Sequence, residues 1–303
     1  MFEEAQLYSP VTRGDDGEVT VHLGEDHPGF HDAAYRARRN AIATAAMGWE
    51  PGAPPPEIAY TEDEQEVWRI VCRELAPKHE RYACRAYREA VAALDLPRDR
   101  IPQLAEVSAG LERLTGWSYV PAPGLVALEE FLGSLGDRTF HSTQYVRHGA
   151  TPLYTPEPDL IHEVIGHGNL LADPALAEVN RLAGAAAQRV RTPEGLQFLA
   201  DVFWFTIEFG VVWEDGELRA YGAGILSSYG EIEEFREMEI RPVDLHAMGT
   251  IDYDITHYQP VLFTAESYER LVDELGGFFA AFDDDTPARL ARAAGVGSGA
   301  AAA

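Results

Sequence analysis

From Gln197 to Trp213 the chain is almost continuously apolar, yet Glu208 stands inside the run between Ile207 and Phe209. Such a segment belongs in a core, and a carboxylate taken into a core without a partner is strongly destabilising. Glu208 therefore reaches solvent, becomes neutral, or binds a cation. Asp201 lies seven residues earlier, on the same face of an α-helix, so a polar stripe leading out to the surface is the plain alternative.

A second segment bears on that choice. His162-Glu163-Val164-Ile165-Gly166-His167 places two imidazoles five positions apart around a carboxylate. The zinc-protease pattern H-E-x-x-H has its histidines four apart, about 400° around a helix and so on one face; five apart is about 500°, which turns the second ring away by roughly 140°. Both rings reach one ion only if the helix ends or loosens near Gly166, and Gly168 is compatible with that. Two ordinary histidines are the bland alternative. Two neutral imidazoles and one carboxylate with open positions form the ligand set of non-haem Fe(II) sites that activate oxygen, and His162, His167 and Glu208 supply it. Zinc with the same three residues and a water is chemically possible too, which would make a hydrolase with Glu163 as general base. A noncatalytic metal-binding module is the third possibility. Gly222 and Gly224 are followed by Ile225, Leu226 and Ser227 without the third glycine of a dinucleotide fingerprint, so an iron oxygenase here needs a diffusible electron donor.

The rest of the sequence predicts a mainly α-helical protein with a small β-sheet and a hairpin. Helices are expected from His31 to Met47, from Thr61 to His79, from Tyr82 to Leu94, from Pro158 to about Leu171, and from Gly195 to Val212. A β-leaning piece lies at Thr139 to Val146, and Asp215-Gly216 marks a hairpin turn. Residues 1–21 read as an extended arm, 22–292 as one catalytic domain and 293–303 as a disordered tail. A formal charge of −26 opposes nucleic acid and anionic lipid as partners. No stretch approaches the ~20 apolar residues of a membrane helix, and the first ten residues lack the features of a signal peptide. Cys72 and Cys84 are too few for a disulfide framework and read as reduced thiols, so the expected location is the cytoplasm.

Several longer motifs resemble the pterin-dependent aromatic amino acid hydroxylases. They are His27-Pro28-Gly29-Phe30 with the Tyr35 to Arg39 segment, Ile101 to Leu104, Thr115-Gly116-Trp117, His141 to His148, Tyr154 to Asp159, the histidine motif, Trp204 to Gly210, and Tyr221 to Ser228. About 250 residues are covered. The resemblance implies the catalytic-domain fold of that family, one Fe(II) held by His162, His167 and Glu208, and tetrahydrobiopterin or a related reduced pterin as cosubstrate with O₂. It implies a pterin pocket of Gly124, Leu125, Phe131, His141 and Glu163, with Phe131 stacking on the ring. Arg147 would clamp the substrate carboxylate, helped by Thr155 and Ser227, and Pro158, Trp204 and Phe140 would enclose the ring to be oxidised. Glu163, Trp204 and Phe140 are thereby expected at the catalytic centre.

Within that family the resemblance points to L-phenylalanine, with tyrosine as product. Ile255 stands where tyrosine hydroxylases carry an acid, Tyr154 where they carry histidine, and Trp204 resembles the phenylalanine type more than the tryptophan type. Phe203 replaces the usual tyrosine and Leu128 a serine, so meta attack, or a tryptophan substrate, is the alternative within the family. With little sequence before His22 and no heptads after Arg292, a constitutive monomer without allosteric activation is expected.

Overall fold

Several helices start at a side-chain cap. The computed structural model describes residues 9–254 and 257–295. Asp32 accepts the N–H groups of Ala34 and Tyr35 and opens α1 (Ala33–Met47). Thr61 and Glu64 close a reciprocal capping box at the head of α2 (Glu62–Tyr82), which then carries Val67, Trp68, Val71 and Leu75 into the core. Asp95, left-handed at φ 48°, ends α3 (Arg85–Leu94). After α4 (Leu104–Leu114) come β3 (Ser118–Pro121), α5 (Leu128–Leu135) and β4 (Thr139–Ser142), with β3 and β4 paired in parallel.

The two site-bearing segments depart from the sequence expectation. The helix expected from Pro158 starts at Leu160 and is π-helical from His162 to Gly168, continuing as α6 (Asn169–Leu171). Asp159, not Pro158, makes its start, because its carboxylate accepts the His162 N–H at 3.2 Å. After α7 (Pro174–Arg189), the apolar run forms α8 (Pro193–Phe203) and a second π-helical turn, Trp204–Glu208. It does not stay helical to Val212. Gly210 breaks it: a Cβ there would lie 2.0 Å from the Tyr221 ring and 2.3 Å from the Thr206 carbonyl. The chain leaves instead as β5 (Val211–Glu214), turns at left-handed Asp215 and Gly216, and returns as β6 (Glu217–Ala220).

Beyond α9 (Ala223–Ser227) and α10 (Glu231–Glu234), the strands β7 (Glu239–Pro242) and β8 (Val261–Ala265) complete a four-stranded sheet in the order β6-β5-β8-β7. Only the β5–β6 pair is antiparallel. Short α11 (Leu245–Met248) and the closing helices α12 (Tyr268–Ala281) and α13 (Thr286–Ala293) pack outside. One hydrophobic core runs from Val67 to Phe282 and encloses both π-turns.

The described part of the N-terminal arm is not simply extended. β1 (Val11–Arg13) and β2 (Val19–Val21) form an antiparallel hairpin whose Val19 and Val21 pack with Leu23 and Ala43 against α1. The Val21 N–H donates to Asn40 at 2.8 Å, so a boundary at residue 21 would cut through this unit. Residues 1–8 and 296–303 of the expected arm and tail, and Ile255, lie outside the described residues.

Candidate active site and metal centre

A π-turn closes hydrogen bonds between residues five apart, which brings side chains at i and i+5 together where an α-helix would separate them. The second turn shows the pattern directly, with the Phe209 N–H donating to Trp204 O at 3.0 Å. In the first turn the same widening brings the Nε2 atoms of His162 and His167 to 3.1 Å. In the second it turns Glu208 away from Asp201 and toward them. Its carboxylate stands 3.0 Å from His167 Nε2 and 3.7 Å from His162 Nε2. Asp201 stays out of the centre, accepting hydrogen bonds from Gln197 at 2.7 Å and Tyr253 at 3.0 Å.

The donor set fits a cation. Ligand atoms about 2.1 Å from one ion and at right angles to each other stand about 3 Å apart, which is the separation of the two imidazole nitrogens. The tautomer agrees. Ser227 Oγ donates to the Ala223 carbonyl at 2.8 Å, so it accepts from His162 Nδ1–H at 2.8 Å, which leaves Nε2 with a bare lone pair facing His167. Burial, followed by the neighbouring His167, pushes the His162 imidazole down to about 4, keeping it neutral and able to ligate. For Glu208, burial works upward, but His167 and then His162 outweigh it and hold the carboxyl below its usual value. Glu163 also reaches within 4.8 Å of both imidazoles. Burial, Glu208 and Asp159 drive its carboxyl well above the ordinary range, which disfavours its charged form and makes it the poorer ligand of the two.

Beside this centre lies a cavity of about 430 Å³, in the range common for small-molecule sites. His162, Glu208, Trp204, Pro158, Thr155, Ser227, Arg147 and Leu125 all contribute to its wall. Arg147 is 5% exposed and grips Asp159 through Nε at 2.9 Å and Nη2 at 2.8 Å. Asp159 is fully buried; desolvation would raise its carboxyl, but Arg147 holds it low. One edge of the guanidinium is thus committed, and Nη1 has no hydrogen-bond partner among the described residues. Asp159, which the sequence left without a role in the site, is the residue that fixes this guanidinium. Its place in the segment Glu157-Pro158-Asp159, just before the histidines, was the available signal. Thr155 Oγ1 donates to the Glu157 carbonyl at 2.7 Å, and Trp204 stacks on Tyr253 at 5.1 Å and 20°.

Other expected residues stand outside that wall. Phe140, expected to enclose the substrate ring, is fully buried behind His167, with ring centres 4.7 Å apart. The correction has a packing cause: β4 points Phe140 inward, between Tyr119 and Phe131. Phe131 packs edge-on against Phe140 and Phe203. His141 meets Ser134 at 3.1 Å, and burial lowers its pKa. Gly124 lies under the N-terminal hairpin, where a Cβ would meet Val11 at 2.8 Å. Ser227 lines the cavity but its hydroxyl is engaged with His162, so it orients that imidazole.

Residues 17–289 match the family described as biopterin-dependent aromatic amino acid hydroxylase. A phenylalanine 3-hydroxylase of Streptomyces coeruleorubidus is 47% identical over 87% of this chain and 95% of its own length. A phenylalanine-4-hydroxylase of Bos taurus is 39% identical over 86% of this chain but 59% of its own, so the chain spans little more than half of that animal relative. Among solved structures, phenylalanine hydroxylase of Chromobacterium violaceum with bound iron(III) and 7,8-dihydrobiopterin superimposes with a TM-score of 0.73 at 26% identity, covering 84% of this chain and 92% of that one. With a helix-rich fold, two π-turns that gather two histidines and a glutamate, and a family match over most of its length, the chain belongs to the biopterin-dependent aromatic amino acid hydroxylases.

Proposed function

We propose that this protein hydroxylates the ring of L-phenylalanine with O₂ and a reduced pterin, at an Fe(II) held by His162, His167 and Glu208. The observation that carries the reading is the meeting of those three ligands at 3.0 to 3.7 Å in the wall of a cavity that also holds Arg147 and Trp204. Iron and pterin, when bound, supply the electrons that activate oxygen.

The chain's own residues do the positioning. Asp159 fixes the Arg147 fork so that its remaining edge meets the amino acid carboxylate as a planar pair. Trp204 and Pro158 flank the ring, and a side chain held at both ends meets the oxidant in one orientation. Leu125 lies in the cavity wall, and with Gly124, Phe131, His141 and neutral Glu163 it forms the pterin side, where a protonated carboxyl can donate a hydrogen bond. Catalysis is by a monomeric cytosolic protein in which the N-terminal hairpin is part of the catalytic unit. Among the described residues no helix is long and apolar enough to cross a membrane.

Attack at C4 gives tyrosine. Attack at C3, giving meta-tyrosine, is the second reading, favoured by the 47% identity to a 3-hydroxylase. The test is incubation with Fe(II), a reduced pterin and each of the three aromatic amino acids, with products identified by mass spectrometry and NMR. Hydroxyphenylalanine is expected, and its NMR pattern assigns the ring carbon. Turnover of none of the three, or hydrolytic activity with zinc alone, defeats the reading.

A further inference from the structure

Gln259 is 1% exposed and does not itself line the cavity, yet four hydrogen bonds join it to the cavity wall and to the loop beside it. Its Oε1 accepts the Trp204 indole N–H at 3.1 Å. Its Nε2 donates to the carbonyls of Asp254 at 2.8 Å and His257 at 3.1 Å. Its backbone N–H donates to Glu231 at 3.0 Å. Trp204, Glu231 and His257 all line the cavity, so one buried side chain spans the turn that carries Glu208 and the loop at the mouth.

The chemistry of the position is demanding. An indole N–H only donates and a carbonyl only accepts, so the residue between them needs one acceptor and two donors at the end of a side chain of this length. Glutamine meets that requirement; glutamate lacks the donors, and lysine or arginine lacks the acceptor. The indole plane is then set from two sides, by stacking on Tyr253 and by the bond to Gln259. Without the bond, a half-buried N–H seeks another partner and the ring can turn about its side-chain torsions.

We propose that Gln259 is a positioning residue that sets amino acid selectivity, by pinning the Trp204 indole against the space that the substrate ring occupies. The inference rests on the hydroxylase reading of the cavity. A pinned indole fixes the width available to a single ring, and release of it lets the larger indole of tryptophan compete.

The test compares iron-loaded wild type with Gln259→Met, which keeps the length and removes both hydrogen-bonding functions. The ratio of kcat/KM for phenylalanine over tryptophan should fall roughly tenfold, the worth of one hydrogen bond at its upper range. Phenylalanine KM should rise, while pterin KM and bound iron stay within about twofold of wild type, on the scale of the same principle. Gln259→Glu keeps an acceptor for the indole and should retain the wild-type ratio even as both amino acid KM values rise. In a Trp204→Phe background the Met substitution should leave the ratio unchanged.

An unchanged ratio in Gln259→Met with only a lower melting temperature overturns the proposal, as does the same fall in the Trp204→Phe background. If Gln259→Met is not recovered folded, Gln259→Glu decides: loss of the ratio there overturns the proposal. Wild type that oxidises none of the amino acids defeats the hydroxylase reading instead. Direct titration of phenylalanine and tryptophan binding then still reads the clamp, with the same fall in affinity ratio expected in Gln259→Met.

Discussion

Glu163 and Glu208 are each 7% exposed and both reach the imidazoles of His162 and His167, yet their carboxyls shift in opposite directions. Burial pushes each carboxyl up. Only Glu208 has an imidazole at 3.0 Å to reverse the shift, whereas Glu163 faces Glu208 and Asp159. Partners, not depth, decide which buried acid stays ionised. A pair in which one carboxyl is held low and the other is pushed up can hold a cation at the first and offer a hydrogen bond at the second.

Substitution by glutamine should separate the two most sharply. Glu208→Gln removes the anion and should lower turnover on the order of a thousandfold while bound iron falls after desalting. Glu163→Gln imitates the uncharged form that burial favours, so iron should be kept and the change confined to pterin KM. Metal analysis and initial rates check both, and an iron-loaded, active Glu208→Gln variant would break the contrast.

The next largest effect tests the same rule with Arg147 and Asp159. Asp159→Asn leaves a guanidinium buried without its counter-charge, and chemical denaturation should show a loss of roughly 3 kcal/mol. Stability unchanged within error would mean that Arg147 finds water or another partner. Arg147→Lys keeps the charge and loses the fork, so phenylalanine KM should rise on the order of tenfold or more with pterin KM little moved. Equal effects on both constants would remove the clamp from the account.

Ser227→Ala should produce the smallest change, weakening iron binding about tenfold by freeing the His162 tautomer. Iron titration followed by metal analysis reads it. An effect on phenylalanine KM alone, with iron binding intact, would restore Ser227 to the substrate side.

The comparison also marks how much could be read in advance. The helix that opens at Thr61 and the turn at Asp215-Gly216 follow from local chemistry and stood in the sequence. The lone carboxylate at Glu208 and the five-residue histidine spacing were visible, but as a puzzle, since α-helical geometry points the second ring away. Phe140 looked like a cavity residue and became packing behind His167, because strand direction depends on the β3 pairing. Asp159 went unassigned because its partner Arg147 lies twelve residues earlier, across a loop.

Residue order alone specified which groups could ligate a metal, which segments must be buried, and where some helices begin, since each depends on neighbours a few positions away. Tertiary packing alone chose the two π-turns, the direction in which each buried acid shifts and the partners of buried donors such as the Trp204 indole. Those outcomes depend on distances between segments far apart in the chain, such as the 3.0 Å from His167 to Glu208, which come into being only when the core closes.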